Sequence, residues 1–337
     1  MDVSTERAES RTAAAAAAGA PPLVSQIVLT FDQARYVAES LESAFAQDYP
    51  NLEIVVSDHG STDGTFEIVA GLARSYRGPH RLRVGRSASP LGVLGHAFEA
   101  IAASRGRLVV AASGDDVSRP DRVSRLAERW RATGAEVLWS RGEKIDEQGR
   151  TLPPPPRPPL VHDAAHYFPD GGVCHVHGAT AAYDRRALDA LPRPDFPVMS
   201  EDFFFSIMLG LRAARFEFLD EPLVRCRRHR ASLSTRAGTR ASLAARERAT
   251  ADYSAQAARL LRFAERAALA GPADAPRLDL GRLRADLAFH EARAGWHALG
   301  PARRLASLRH VRSRAQLRWM VPRLLGSRAL AALQRIR

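Results

Sequence analysis

From Val24 to Ser140, short apolar runs alternate with stretches of helical periodicity, and that alternation leaves few architectures open to the chain. Val24–Thr30, Glu53–Asp58, Arg81–Val84, Arg107–Ala112 and Glu136–Ser140 read as strands. Between them, Ala34–Gln47 sets Val37, Leu41 and Phe45 four apart on one helical face. Phe66–Tyr76, Val93–Ser104 and Arg122–Arg131 continue the series, the last opening just after Pro120. Strands and helices in strict alternation are βαβ units, so the predicted fold is α/β with a mostly parallel central sheet.

After Ser140 the regularity stops. Pro153–Pro159 holds six prolines in seven positions and predicts a stiff, extended connection. A strand over His175–Tyr183, helices over Arg185–Leu191 and Glu201–Arg212, and strands over Arg215–Leu219 and Glu221–Arg228 follow. From about Arg240 the pattern is helical, with breaks near Gly271-Pro272, Gly300-Pro301 and Pro322. The expected organisation is a disordered leader over 1–22, containing the run Ala13–Ala18, then an α/β domain over 23–235 in halves 23–140 and 141–235. An Arg-rich helical C-terminal region over 236–337 completes it.

Composition removes several function classes. No apolar run approaches the length that spans a bilayer. Two cysteines, Cys174 and Cys226, build neither a disulfide framework nor a four-cysteine zinc site, and the expected location is cytoplasmic. The first βα turn, Thr30–Arg35, lacks the glycine fingerprint of a dinucleotide-binding fold. With a single lysine, Lys144, and no glycine-rich loop before it, there is no P-loop either. The net charge of +12 is local. Arg236–Arg337 carries 21 arginines against 7 acids, while the rest of the chain is close to neutral.

In open α/β sheets, ligands bind beyond the carboxyl ends of the strands. Those ends are Thr30-Phe31-Asp32, Asp58-His59 and Ser113-Gly114-Asp115-Asp116. A carboxylate at Asp58 can accept the imide N–H of a uracil- or thymine-type base, or it can cap the helix that follows. Asp115 and Asp116 are adjacent after a strand, so one faces the ligand. A divalent cation there would bridge carboxylate and diphosphate, although Gly-Asp-Asp alone is also an ordinary turn.

Taken together, Val24–Gln33, Leu41–Asp58 and Gly60–Thr65 resemble the inverting glycosyltransferases of family 2, whose domain has the GT-A fold. The resemblance resumes at Ser113–Asp121, at Ser200-Glu-Asp-Phe203 and at Arg228–Ser234, so it covers about 23–235. It implies that Thr30, Phe31 and Asp32 line the nucleoside pocket, that Asp58 holds the base, and that Ser113 and Gly114 belong to the donor site. It implies Mg2+ or Mn2+ at Asp115, with His229 approaching the metal or diphosphate. It also implies Asp202 as general base, with Glu201 beside it at the acceptor. Asp32 stands where asparagine is usual, His59 where a second aspartate is usual, and Ser113 at the first carboxylate position of the metal motif.

Two features lie outside those motifs. Cys174-His-Val-His-Gly178 would set His175 and His177 on one face of a strand, either as a His-x-His metal site or with His177 lining the acceptor cleft. Residues 301–337 hold ten arginines and no acid, interleaved with Leu305, Leu308, Val311, Trp319, Met320, Leu324 and Leu325. That pattern fits an anionic membrane surface, or a solvated face on a packed tail, and carries no nucleic-acid-binding signature. The expected function is sugar transfer from a uridine or thymidine diphosphate sugar to a glycan or lipid-linked acceptor. The alternative is a non-catalytic sugar-nucleotide-binding or scaffolding protein.

Overall fold

A computed structural model of the chain describes residues 20–90, 92–153, 176–198, 200–229, 232, 243–271, 278–310, 320 and 324. The chain divides into two compact units. The first takes in the described residues of 20–153, 176–209 and 214–229, and the second takes in 210–213 and those from 232 onward.

In the first unit, β1 (Val24–Thr30), β2 (Leu52–Asp58), β3 (Arg81–Arg86) and β4 (Leu108–Ser113) are parallel, in the order β3-β2-β1-β4. β1 and β2 are interior strands buried along almost their whole length, which is why Ile27, Val28, Ile54, Val55 and Val56 dominate their middles, with Ser25 and Glu53 paired by a hydrogen bond. β3 is the edge, and its Arg81, Arg83 and Arg86 face outward or half outward, a composition that discourages strand addition. The crossovers are α1 (Val37–Phe45), α2 (Thr65–Ser75) and α3 (Gly92–Ala103). Register sets Thr30 opposite Asp58 and Leu29 opposite Ser113, so the candidate residues end their strands at one edge of the sheet.

The sheet continues through β5 (Val117–Ser118), β6 (Val137–Ile145), β7 (Ala181–Asp184) and β8 (Phe216–Arg227), giving the full order β3-β2-β1-β4-β7-β6-β8-β5. β7 is antiparallel to both β4 and β6, β8 is parallel to β6, and β5 closes antiparallel on β8. α4 (Arg122–Thr133) buries Val123, Leu126, Ala127 and Trp130 against this sheet, and it ends at Gly134, whose φ of +64° is left-handed. α5 (Arg185–Asp189) starts from an Asp184 cap, and α6 (Glu201–Gly210) precedes β8. Leu41, Leu52, Ile54, Leu108, Leu126 and Leu138 are among the fully enclosed core side chains, each contributing roughly 1.5–3 kcal/mol on burial.

Two expectations are corrected. The strand predicted over His175–Tyr183 begins only at Ala181, after a 3-10 turn at Gly178–Thr180. The Gly178 N–H goes to Asp202, and both donors of Thr180 return to the His177 carbonyl, so neither joins the sheet. His177 is therefore not on a strand, and Cys174 and His175 lie outside the described residues. The two strands predicted around Asp220 are one, carried past Pro222 by a register shift against β6 at Ser140–Gly142. The proline run at 154–159 and the leader up to residue 19 are also outside the described residues, whereas the Pro21 and Pro22 carbonyls accept bonds from Asn51 and Tyr49 at 2.8 Å each.

In the second unit, α7 (Leu243–Ala270) and α8 (Leu280–Ala294) are joined by Arg262–Glu291 and Arg284–Glu265 ion pairs. α9 (Pro301–Ala306) follows. Phe289, Trp296 and Met320 form a buried cluster, with Leu299, Leu308 and Leu324 packed against it. Three of the tail's apolar residues thus serve a protein core, while Leu305 and Arg309 stay exposed. Trp319 and Leu325 are outside the described residues.

Candidate active site

The strand ends of β1 and β2 are laced together by carboxylates that accept backbone N–H groups. Asp58 has no exposed surface. Its Oδ1 accepts the hydroxyls of Thr30 at 3.0 Å and Ser61 at 2.5 Å, its Oδ2 accepts the Ser61 N–H at 2.9 Å, and Arg86 Nε lies 3.7 Å away. Asp32 Oδ1 accepts the Thr62 N–H at 2.9 Å, and Asp63 Oδ2 accepts that of Ala34 at 2.9 Å. Asp32 has a φ of +49°, a conformation that aspartate and asparagine tolerate better than other side chains do.

Around the enclosed Asp58 lie groups suited to a flat heterocycle. Phe31 is 40% exposed. His59 meets it edge-on at 6.0 Å and stacks on His96 at 4.9 Å. His96 Nε2 is 2.9 Å from Ser57 Oγ, and burial together with the nearby His59 pushes its pKa down to about 4, so it is neutral at pH 7. The half-exposed Arg86 guanidinium lies 4.1 Å over the Phe66 ring.

The Ser113–Asp116 turn follows. A Cβ on Gly114 would come 2.5 Å from Gln33 Oε1 and 2.7 Å from Thr30 Cγ2, so only glycine lets this turn approach β1. Ser113 Oγ donates to Asp115 Oδ1, and Asp115 Oδ2 lies 2.8 Å from His229 Nε2. Burial would raise the Asp115 pKa, but the bonds from His229 and Ser113 outweigh it and hold the group below its ordinary value. Asp116 points elsewhere. Its Oδ1 accepts the Arg227 N–H at 2.7 Å, and burial plus the charge of Asp115 pushes its pKa up to about 8. Asp115 Oδ2 and His229 Nε2 bond to each other, and the described residues offer no third ligand, so a cation held by this pair would open that bond and take the rest of its shell from phosphate oxygens and water. The donor set therefore fits Mg2+ or Mn2+.

A second cluster forms at the start of α6. Asp202 Oδ2 accepts the Gly178 N–H at 2.9 Å, and Oδ1 accepts the Phe203 N–H at 2.7 Å and the Ser200 hydroxyl. Glu201 lies so close to Gly178 that a Cβ there would stand 2.8 Å from its Oε1. Burial and the charge of Asp202 push the Glu201 pKa up to about 7. Beneath the pair, the buried Tyr183 hydroxyl is raised by desolvation and by both carboxylates.

One buried side chain ties the two clusters. Arg122 donates to the Ala111 carbonyl of β4 at 2.7 Å, to the Ala179 carbonyl beside Gly178 at 2.9 Å, and to Ser118 Oγ at 3.0 Å. Burial lowers its pKa to about 10, which leaves it charged at neutral pH. The sequence reading missed Arg122, Arg227 and Gly178. A visible signal existed for Arg122, a charged residue adjoining the apolar stripe of α4.

The profile described as Glycosyl transferase family 2 matches residues 25–191. The Rhizobium meliloti "Succinoglycan biosynthesis protein ExoO" is 32% identical over 131 residues, 39% of this chain and 36% of that protein, so the match spans about a third of the relative's length. Among solved structures, S. aureus TarS 1-349 in complex with UDP-GlcNAc superposes with a TM-score of 0.54 at 21% identity, covering 81% of this chain and 73% of that one. A mannosyltransferase from Pyrobaculum calidifontis, solved with GDP-Man and Mn2+, gives 0.53 at 20% identity, covering 94% and 79%. At these identities the likeness is one of fold.

Proposed function

We propose that this chain, whose residues 25–191 belong to glycosyltransferase family 2, moves a sugar from a nucleoside diphosphate donor to a hydroxyl acceptor in the synthesis of cell-surface polysaccharide or lipid-linked glycan. The observation that carries the reading is the Arg122 tie, which fixes the strand leading to Asp115 and the turn held by Asp202 to one guanidinium. Donor-side and acceptor-side groups thereby share a rigid support, which is what a displacement between two bound partners requires.

The base stacks against Phe31, with Thr30, Asp32 and Asp58 holding the pocket and His59 and Arg86 at its edge. A uridine or thymidine donor is what the family resemblance implies; Asp58, enclosed and bonded to Thr30 and Ser61, would act by supporting the pocket wall. Ser113 and Gly114 border the ribose and diphosphate. Asp115 and His229 would hold Mg2+ or Mn2+, which when bound offsets the charge that grows on the leaving diphosphate. Asp202 takes the proton of the acceptor hydroxyl, an effect typically worth ~10²–10⁴-fold, while Glu201 and His177 contact the acceptor. A single in-line displacement inverts the anomeric centre.

No helix of the described residues is long and apolar enough to cross a membrane. The reading places the protein at the cytoplasmic membrane face, held by the arginines of the second unit. Ser113, standing in for a carboxylate, is what favours the rival reading of a non-catalytic donor-binding protein. Proton NMR of the product anomer, after incubation with a panel of α-linked donors and an alcohol acceptor, tests the proposal. A β-linked product supports it, and a retained configuration contradicts it.

A further inference from the structure

We infer that Arg227 is a positioning residue that sets the geometry of Asp115 and His229, an inference that rests on the donor-site reading above. Arg227 ends β8, two residues before His229, and its side chain is 2% exposed. Nε donates to the Asp115 carbonyl at 3.0 Å, and the Arg227 backbone N–H donates to the Asp116 carboxyl at 2.7 Å. Nη1 donates to the carbonyls of Asp146 and Glu147 at 3.2 and 3.3 Å, and Nη2 donates to Glu39 Oε2 at 2.5 Å. The guanidinium also lies 5.0 Å over the Tyr36 ring, and that ring packs on His229 at 4.7 Å.

One planar fork thus holds the Gly-Asp-Asp turn, the turn after β6 and α1 in a single arrangement. Burying a guanidinium is costly unless it is hydrogen-bonded throughout. Here the bonds go to the turn that carries Asp115 and to its supports, so the charge is spent on backbone placement. Tyr36 reaches His229 from the same group, so both ends of the 2.8 Å Asp115–His229 contact are referred to Arg227. A lysine keeps the charge but cannot reproduce a five-donor plane.

The test uses the full chain as wild type, Arg227→Gln, Arg227→Lys and Glu39→Gln. Arg125→Gln, which removes exposed pairs with Glu128 and Glu221, is the control. Free Mn2+ is measured by electron paramagnetic resonance during titration with Mn2+ alone and with UDP present, and thermal unfolding is recorded on the same samples. Loss of an outer-shell partner typically weakens a metal site about 10–100-fold. Arg227→Gln should fall in that range, Arg227→Lys between it and wild type, and Glu39→Gln should shift the same way by less. Arg125→Gln should match wild type. If Arg227→Gln does not fold, Arg227→Lys and Glu39→Gln carry the test. Wild-type Mn2+ affinity in the folded variants, with only the melting temperature lowered, overturns the inference. Wild-type protein that takes up no Mn2+ overturns the metal assignment on which it stands.

Discussion

His229 Nε2 lies 2.8 Å from Asp115 Oδ2, although 114 positions separate the two residues in the chain. The contact joins the end of β8 to the turn after β4. Asp115→Ala should lower turnover by about two orders of magnitude or more in protein that still folds, with the unfolding transition lowered because the buried bonds from Ser113 and His229 are lost. Steady-state rates with and without Mn2+ check this, and survival of both activity and metal dependence would contradict it. Ser113→Asp sets a second carboxylate against Asp115, so it should tighten Mn2+ binding while lowering stability in metal-free buffer.

Gly178 is a sharper test of the acceptor side. An added methyl would meet Glu201 Oε1 at 2.8 Å and Asp202 Cβ at 3.2 Å. Gly178→Ala should therefore reduce kcat by about tenfold or more, since misplacement on the scale of an ångström can cost as much as 10². Donor affinity, read by calorimetry, should stay at the wild-type value. An unaltered kcat would show that the pair does not act in the reaction.

Within the pair, Asp202→Asn cannot accept at both oxygens, so it should lose either the Gly178 bond or the Ser200 and Phe203 bonds along with its basicity. Glu201, with its pKa near 7, should give kcat a limb that rises with pH through about 7 as the group ionises. Glu201→Gln should flatten that limb, and a limb that persists in the variant would assign it to another group. If Glu201→Gln proves more damaging than Asp202→Asn, the two roles exchange.

Much of this was legible before the structure. β1 and β2 are buried along nearly their whole length and β4 along its first half, so apolar residues mark all three, and their ends fall at Thr30, Asp58 and Ser113, where the strand-end rule directs attention. Helix α1 shows itself in Val37 and Leu41. The rest depended on partners far away in the chain. The 3-10 turn at Gly178 is selected by Asp202, 24 residues later, and no local pattern announces it. β8 survives Pro222 because its missing donor falls at a register shift. Arg227 looks like one of several arginines before His229, and its importance lies in carbonyls contributed by other segments. Leu308, Met320 and Leu324 fitted either a membrane-facing stripe or a packed tail, and Phe289 and Trp296 take them up.

Asp116 links stability to pH. Its pKa is raised from 3.8 to about 8 on folding, chiefly by burial, so the folded state holds a proton that the unfolded chain has lost over that interval. The contribution is fully present below about pH 4 and fades as pH rises toward 8. In metal-free buffer, Asp116→Asn should gain on wild type by ~1 kcal/mol or more between pH 5 and about 8. Denaturant unfolding at several pH values measures the difference, and parallel profiles would contradict it.

The second unit calls for charge reversal in place of truncation. Cutting after Gly300 removes Leu308, Met320 and Leu324 and uncovers Trp296, so the shortened chain should unfold at lower temperature. Arg303→Glu with Arg309→Glu changes exposed groups only. The double variant should stop co-sedimenting with anionic vesicles and keep its thermal midpoint. Wild-type binding should weaken with salt, since exposed charges are screened within about 8 Å at physiological ionic strength. Equal sedimentation of both proteins would place any membrane contact elsewhere.

A site that cleaves a sugar from a nucleoside diphosphate and delivers it to a hydroxyl must release the nucleotide. Release of nucleoside diphosphate should be followed for wild type and Asp115→Ala across uridine, thymidine and guanosine diphosphate sugars, with Mn2+ and with chelator. Wild type should release nucleoside diphosphate from a uridine or thymidine donor, stimulated by Mn2+ and reduced about a hundredfold or more in Asp115→Ala. Tight nucleotide binding with no release from any donor, in the presence of metal and acceptor alike, would contradict it and leave a sugar-nucleotide-binding protein.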